Sequence, residues 1–275
     1  MTHVIPKGNE VKGVTSLGDN VFVVRNNSEQ RIEVYDVRTF TLQRHIAVPG
    51  LGETSGLAAC PYNNCLYASG GYISDNIHRV DLSGSNAVMK WHVSEDPAGL
   101  SVNSEHNLLV VIAFDRKLQI FSTDGTLLQD IQMHMGIAGP HHAIQLSTGQ
   151  FLVSRSWSVH CVCLVGVNGA LVRHNSGHGQ VGSQLMRMNE PRGLAVDRDW
   201  GEGRVLVADR DNNRLLVLDQ SLSSAHEMSV RVAGGLKGPE SLWFDQIRRR
   251  LYIGEASGGR VIVVDNLREF RPRSN

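Results

Sequence analysis

The chain has 275 residues, 41% of them hydrophobic and 20% charged, enough to bury a large core as one all-β domain or two smaller ones. Lys plus Arg and Asp plus Glu both number 27, so no global field calls for a polyanion or an anionic membrane as partner, and any charge-driven function must come from a local patch. No stretch approaches the roughly 18 to 20 apolar residues of a membrane-spanning helix, the opening MTHVIPKGNE lacks a basic segment followed by an apolar one, and 4 cysteines make no disulfide scaffold, so a soluble, reduced, cytoplasmic protein is expected.

In chain order, one pattern recurs: a small residue opens an apolar run, a polar turn follows, then a second apolar run, a Gly/Asn/Asp-rich loop, and a third run ending near Asp. The first copy, from Val11, reads VKGVTSLGDNVFVVRNNSEQRIEVYD; the second, from Thr54, TSGLAACPYNNCLYASGGYISDNIHRVD; the third, from Pro97, PAGLSVNSEHNLLVVIAFDRKLQIFS. The fourth is PHHAIQLSTGQFLVSRSWSVHCVCLV. The fifth and clearest, from Pro191, is PRGLAVDRDWGEGRVLVADRDNNRLLVLD, and the sixth, from Pro239, is PESLWFDQIRRRLYIGEASGGRVIVVD. The small residues fall at Gly13, Gly56 and Gly99, His142 takes the slot in the fourth copy, and Gly193 and Ser241 complete the series; the first three intervals are each 43 residues.

Short runs of alternating or continuous apolar character between turn residues predict strands. Units of roughly 40 to 50 residues built this way cannot bury both faces alone and stack in a ring as propeller blades. The expected fold is all-β, a six-bladed β-propeller of four-stranded antiparallel blades over 11–50, 54–95, 97–133, 140–183, 191–230 and 239–267. The sixth copy lacks an outermost strand. Residues 2–6 are expected to supply it and latch the ring, with pairing by the C-terminal tail as the alternative, and 268–275 form a basic tail.

PRGLAVD followed by VLVADRDNNRLLVLD resembles the NHL repeat, and the six copies together resemble the NHL-type propeller of tripartite-motif ubiquitin ligases. The resemblance implies a non-enzymatic recognition module that binds a protein or peptide, with RNA as a further partner, and that selects substrate if it belongs to a larger ligase. Propellers of this kind also include peptide-amidating lyases and calcium-dependent lactonases, so a channel-metal enzyme is the alternative.

In a blade the chain runs from inner strand a to outer strand d, so the b–c loops and the entry to strand a share one face, the upper one. Strand-b ends align at Arg25, Gly70, Ala113, Arg155, Asp209 and Glu255, and the strand-a entry slots hold Lys12, Ser55, Ala98, His141, Arg192 and Glu240. The expected ligand-binding set at the upper mouth is Arg25, Asn26, His141, His142, Arg155, Trp157, Arg192, Asp209, Arg210 and Glu255. His141 and His142 are neighbours on one strand and point apart, so they do not chelate one ion. Glu255 and Asp209 with Asn26 or Asn212 are the residues a calcium enzyme would draw on; the expectation is no metal, no cofactor and no catalytic set. Cys60 and Cys65 bracket a turn where a hairpin disulfide is sterically possible but disfavoured in a reducing compartment. At the lower face, Arg248, Arg249 and Arg250 with Arg268, Arg271 and Arg273 form a possible basic patch. Ring closure makes a monomer viable.

Overall fold

A computed structural model describes residues 2–26, 29–53, 56–70, 74–175, 181–198, 203–265 and 267. The N-terminal strand β1 (Thr2–Ile5) is followed by blade 1: β2 (Val11–Leu17), β3 (Asn20–Arg25), β4 (Arg31–Asp36) and β5 (Leu42–Ala47). Blade 2 comprises β6 (Gly56–Cys60), β7 (Cys65–Ser69), β8 (Asn76–Asp81) and β9 (Val88–His92), and blade 3 comprises β10 (Pro97–Val102), β11 (Leu108–Ile112), β12 (Lys117–Phe121) and β13 (Leu127–Gln132). Blade 4 holds β14 (Pro140–Gln145), β15 (Phe151–Arg155), β16 (Cys161–Val165) and β17 (Leu171–His174). Blade 5 holds β18 (Pro191–Asp197), β19 (Arg204–Asp209), β20 (Arg214–Asp219) and β21 (Ala225–Met228), and blade 6 holds β22 (Pro239–Asp245), β23 (Arg250–Glu255) and β24 (Val261–Val264). Each blade is a four-stranded antiparallel sheet, and the inner strands contact one another in sequence around a closed ring from β2 back to β22.

Why the second run of each copy is continuously apolar follows from the stacking. On β3, Val21 and Val23 enter the core shared with blade 6, while Phe22 and Val24 enter the core shared with blade 2. On β11, Leu108, Val110 and Ile112 face blade 2, whereas Leu109 and Val111 face blade 4. A strand buried on both faces has no polar side to alternate with. The outer strands β5 and β13 are mostly exposed and accordingly carry polar residues such as Gln43, Arg44, Gln129 and Asp130.

The ring is latched by the N-terminal strand. β1 completes blade 6 by pairing antiparallel with β24, from Thr2 opposite Val264 to Ile5 opposite Val261. His3 Nε2 lies 3.1 Å from an Asp265 carboxylate oxygen, and Ile5 is fully buried in the core between blades 6 and 1. Ile5→Val is expected to lower the unfolding free energy by about 1 kcal/mol, the cost of one buried methylene, read from the urea midpoint.

The small residue at the head of each copy is a packing requirement. A Cβ on Gly13 would stand 2.8 Å from the Leu57 backbone nitrogen, and one on Gly193 would stand 2.8 Å from the Glu240 carbonyl oxygen. Both contacts are with the next blade's inner strand, so glycine sets how closely those strands approach. All four cysteines are buried thiols; Cys60 and Cys65 face each other across the β6–β7 hairpin.

Candidate functional site

The strand-a entries carry an irregularity that the sequence pattern does not show. In the pairing of β2 with β3, β14 with β15, and β22 with β23, the register shifts across Lys12, His141 and Glu240, and a shift between Pro191 and Leu194 spans Arg192. A bulge of this kind re-aims the extra residue out of the strand's alternation. Four slot residues are thereby turned towards the axis. Two of them, Lys12 and His141, meet a third, Glu240, which is 6% exposed, and Arg210 from the b–c turn of blade 5 joins them: Arg210 Nε lies 3.0 Å from Glu240 Oε2, and His141 Nε2 and Lys12 Nζ lie 3.8 and 3.9 Å from Oε1.

This cluster divides two cavities. Above it, a mouth of about 320 Å³ is lined by Lys12, His141, Arg192, Arg210 and Glu240 on one side and by Asp96, Phe114 and Trp157 on the other. Below it, a channel of about 480 Å³ has mainly apolar walls, including Leu57, Leu100, Leu194 and Leu242, and reaches Asp245 and Arg248 at the lower face. Lys12, His141 and Glu240 line both, and so form the constriction between them. Burial, then the charges of Arg192, His142, Lys12 and Arg210, hold the His141 imidazole well below the usual histidine range, so at neutral pH it is uncharged. Asp96 is shifted the other way, its carboxyl raised by burial and by Asp75.

Of the residues expected at the mouth, His141, Trp157, Arg192 and Arg210 line it. His142 lies lower, in the channel wall. Its Nδ1 accepts a hydrogen bond from the Leu194 backbone N–H at 3.3 Å, which leaves the proton on Nε2 to be donated to the Leu100 carbonyl at 3.0 Å. The ring therefore joins the inner strands of blades 3 and 5 across blade 4.

Arg25, Arg155, Asp209 and Glu255 are each buried, and their side chains work within the ring wall. Arg25 pairs with Glu33 at 2.8 Å and donates to the carbonyls of Pro6, Asn9 and Gly259, which ties the latch segment to blade 1. Arg155 donates to the Ala138 carbonyl at 3.2 Å. Asp209 pairs with Arg214 at 2.7 Å and accepts from Asn212, and Glu255 pairs with Arg260. Asn26 donates to Glu10, the partner of Lys12. The reason is positional: strand b stands one strand away from the axis, and its last side chain meets strand c before it meets the mouth.

The lower-face arginines are engaged by carboxylates. Arg248 bonds Asp245, Arg249 makes a two-point pair with Asp197 at 2.6 Å, and Arg250 bonds Asp265. Pairing within blade 6, and with blade 5 through Arg249, thus engages the charge of the run RRR. Arg268, Arg271 and Arg273 lie outside the described residues. Among the described residues, no three His, Cys, Asp or Glu side chains come together as a metal-binding group, and no helix is long and apolar enough to cross a membrane.

Lys12, Glu240, Asp96 and Phe114 are mouth residues that the expected ligand set does not contain. Lys12 and Glu240 were visible as strand-a slots; Asp96 and Phe114 sit in loops with no repeat signal.

Fold and site together define a six-bladed β-propeller with a polar upper mouth and a constricted axial channel. No protein-family model matches the chain. Over 153 residues, 52% of its length, it is 23% identical to Protein brain tumor of Drosophila melanogaster, and that stretch spans 13% of the fly protein. Among solved structures it resembles a protein of unknown function from Bacteroides thetaiotaomicron, with a TM-score of 0.75, 15% identity, and coverage of 94% of this chain and 70% of that one. It also resembles virginiamycin B lyase from Staphylococcus aureus, with a TM-score of 0.66, 9% identity, and coverage of 97% and 99%. At these identities the likeness is one of fold.

Proposed function

We propose that the chain is an NHL-type propeller acting as a recognition module, which binds a protein or peptide across its upper mouth. The observation that carries this reading is the mouth itself: polar side chains from four blades converge on a concave site rimmed by an exposed Trp157, itself 60% exposed. The PRGLAVD and VLVADRDNNRLLVLD segments support the NHL assignment, and the similarity to Protein brain tumor agrees with it.

RNA is the weaker partner on this geometry. Arg192 pairs with Glu190, Arg210 with Glu240, and Lys12 with Glu10, so the arc offers phosphates no surplus of positive charge. In a longer ligase-type chain the same mouth would choose the substrate.

A pull-down comparing wild type with Arg192→Ala/Arg210→Ala tests the reading, with circular dichroism and urea unfolding as controls because Arg210 is the 3.0 Å partner of the buried Glu240. Proteins retained by wild type and lost by the variant, then bound directly after purification, are the expected result. Equal retention by both forms would remove the mouth from consideration.

A further inference from the structure

The mouth is electrically divided. On the side of blades 5, 6 and 1, each carboxylate has a cation: Glu190 with Arg192, Glu240 with Arg210, and Glu10 with Lys12. On the side of blades 3 and 4, Asp96 lines the cavity, and no Lys, Arg or His among the described residues comes within ion-pair distance of it. Among the described residues the charged group beside it is a second carboxylate, that of Asp75, which accepts a hydrogen bond from the Asp96 backbone N–H at 3.1 Å. Asp96 is held there in a left-handed backbone conformation, φ 56°, with its carbonyl accepting from the Ala113 N–H.

Beside this carboxylate stand two exposed aromatic rings. Phe114 and Trp157 are 47% and 60% exposed, and they meet edge to face with centroids 5.6 Å apart and planes at 79°. Two perpendicular rings form a corner, and the faces of both present negative potential. The corner is fixed in place. Gly139, at φ 60°, packs so closely under Trp157 that a Cβ there would overlap the tryptophan Cβ, and its carbonyl accepts from the Ser156 N–H at 3.1 Å. The Trp157 backbone and Cβ are thus fixed at the mouth, and most of its side chain is exposed.

An aromatic corner with a carboxylate that lacks a counterion suits a cation and repels an anion. We propose that the blade 3 and 4 side of the mouth is a subsite for a lysine or arginine side chain of the bound peptide. It rests on the recognition-module reading and names the chemistry that module selects. The alkyl stem of the basic side chain would lie against Phe114 and Trp157, and its ammonium or guanidinium group would face Asp96. A polar group elsewhere in the peptide would then face the charge-paired arc across the mouth.

Selection of short random peptides displayed on phage, with the full chain as bait, tests both levels. The expected peptides carry a lysine or arginine. A synthetic copy of the leading peptide should bind with about tenfold weaker affinity to Asp96→Asn and to Trp157→Ala, and nearly normally to Trp157→Phe, by titration calorimetry. Peptides that lose binding to Arg192→Ala/Arg210→Ala yet lack a basic residue, or that ignore Asp96→Asn and Trp157→Ala, would overturn the subsite and leave the recognition reading standing. Failure to select any peptide would remove both. The exposed position of Trp157 and the near-isosteric change at Asp96 keep the fold intact, which circular dichroism checks.

Discussion

Replacing Arg25 by alanine is expected to lower the unfolding free energy by about 3–5 kcal/mol, the usual cost of breaking a buried ion pair from one side. The Arg25 side chain is 5% exposed and its partner Glu33 is 13% exposed, so removal of the guanidinium strands a carboxylate that solvent barely reaches. Tyr35 still donates to that carboxylate at 2.8 Å, but a phenol does not neutralise it. The same substitution frees the carbonyls of Pro6, Asn9 and Gly259, which come from the latch segment and the b–c loop of blade 6. The damage therefore spreads from one pair to ring closure. Urea unfolding followed by tryptophan fluorescence reads the effect, and Arg25→Ala/Glu33→Leu should recover part of it by removing the stranded charge. If Arg25 served the ligand instead, the single variant would unfold like wild type and lose only binding.

The ring could be counted from the sequence because its governing constraint acts at one position per blade. Inner strands come so close that a side chain at Gly13, Gly99 or Gly193 would overlap the next blade, and one at Gly56 would be crowded, and that steric limit appears as a small residue repeating at 43 residues over the first blades. The missing outer strand of the sixth copy called for a segment from one end of the chain, and the pairing of Thr2–Ile5 with Val261–Val264 selects the N-terminal one over the C-terminal tail. The fate of the charged strand-b ends was harder to see, because alignment gives a height in the blade and not a direction. A sign was nevertheless present: Asp209 stands directly opposite Arg214, and Glu255 is followed by Arg260 across the equivalent hairpin. Opposite charges at hairpin-partner positions point to internal pairing. The bulges that turn Lys12, His141 and Glu240 to the axis leave no comparable trace, since each depends on one extra residue in a pairing register that local composition does not determine.

His142 should make the ring acid-sensitive. Burial, opposed only in part by the bond to the Leu100 carbonyl, pushes its imidazole down from an ordinary 6.5 to about 4. The folded chain thus refuses a proton that the unfolded chain accepts throughout that interval. The contribution is fully present above 6.5, is lost as pH falls towards 4, and levels off below, for a total of about 3 kcal/mol. Protonation would also put a second N–H where Nδ1 now accepts from Leu194, so the bridge between blades 3 and 5 opens at the same step. His141 and His78, both lowered first by burial, add in the same direction. Carboxylates act later: against the burial that raises it, hydrogen bonds from Ser224, Ser223 and Ser221 bring Asp219 down to about 2, so its contribution declines only below its ordinary 3.8. His142→Gln separates the causes, because an amide can donate to Leu100 and accept from Leu194 without titrating. At neutral pH it should be nearly as stable as wild type, and between neutral pH and about 4 it should lose about 3 kcal/mol less, measured by urea unfolding across that range. Parallel losses in the two proteins would move the acid response to other groups and leave His142 with a structural role alone.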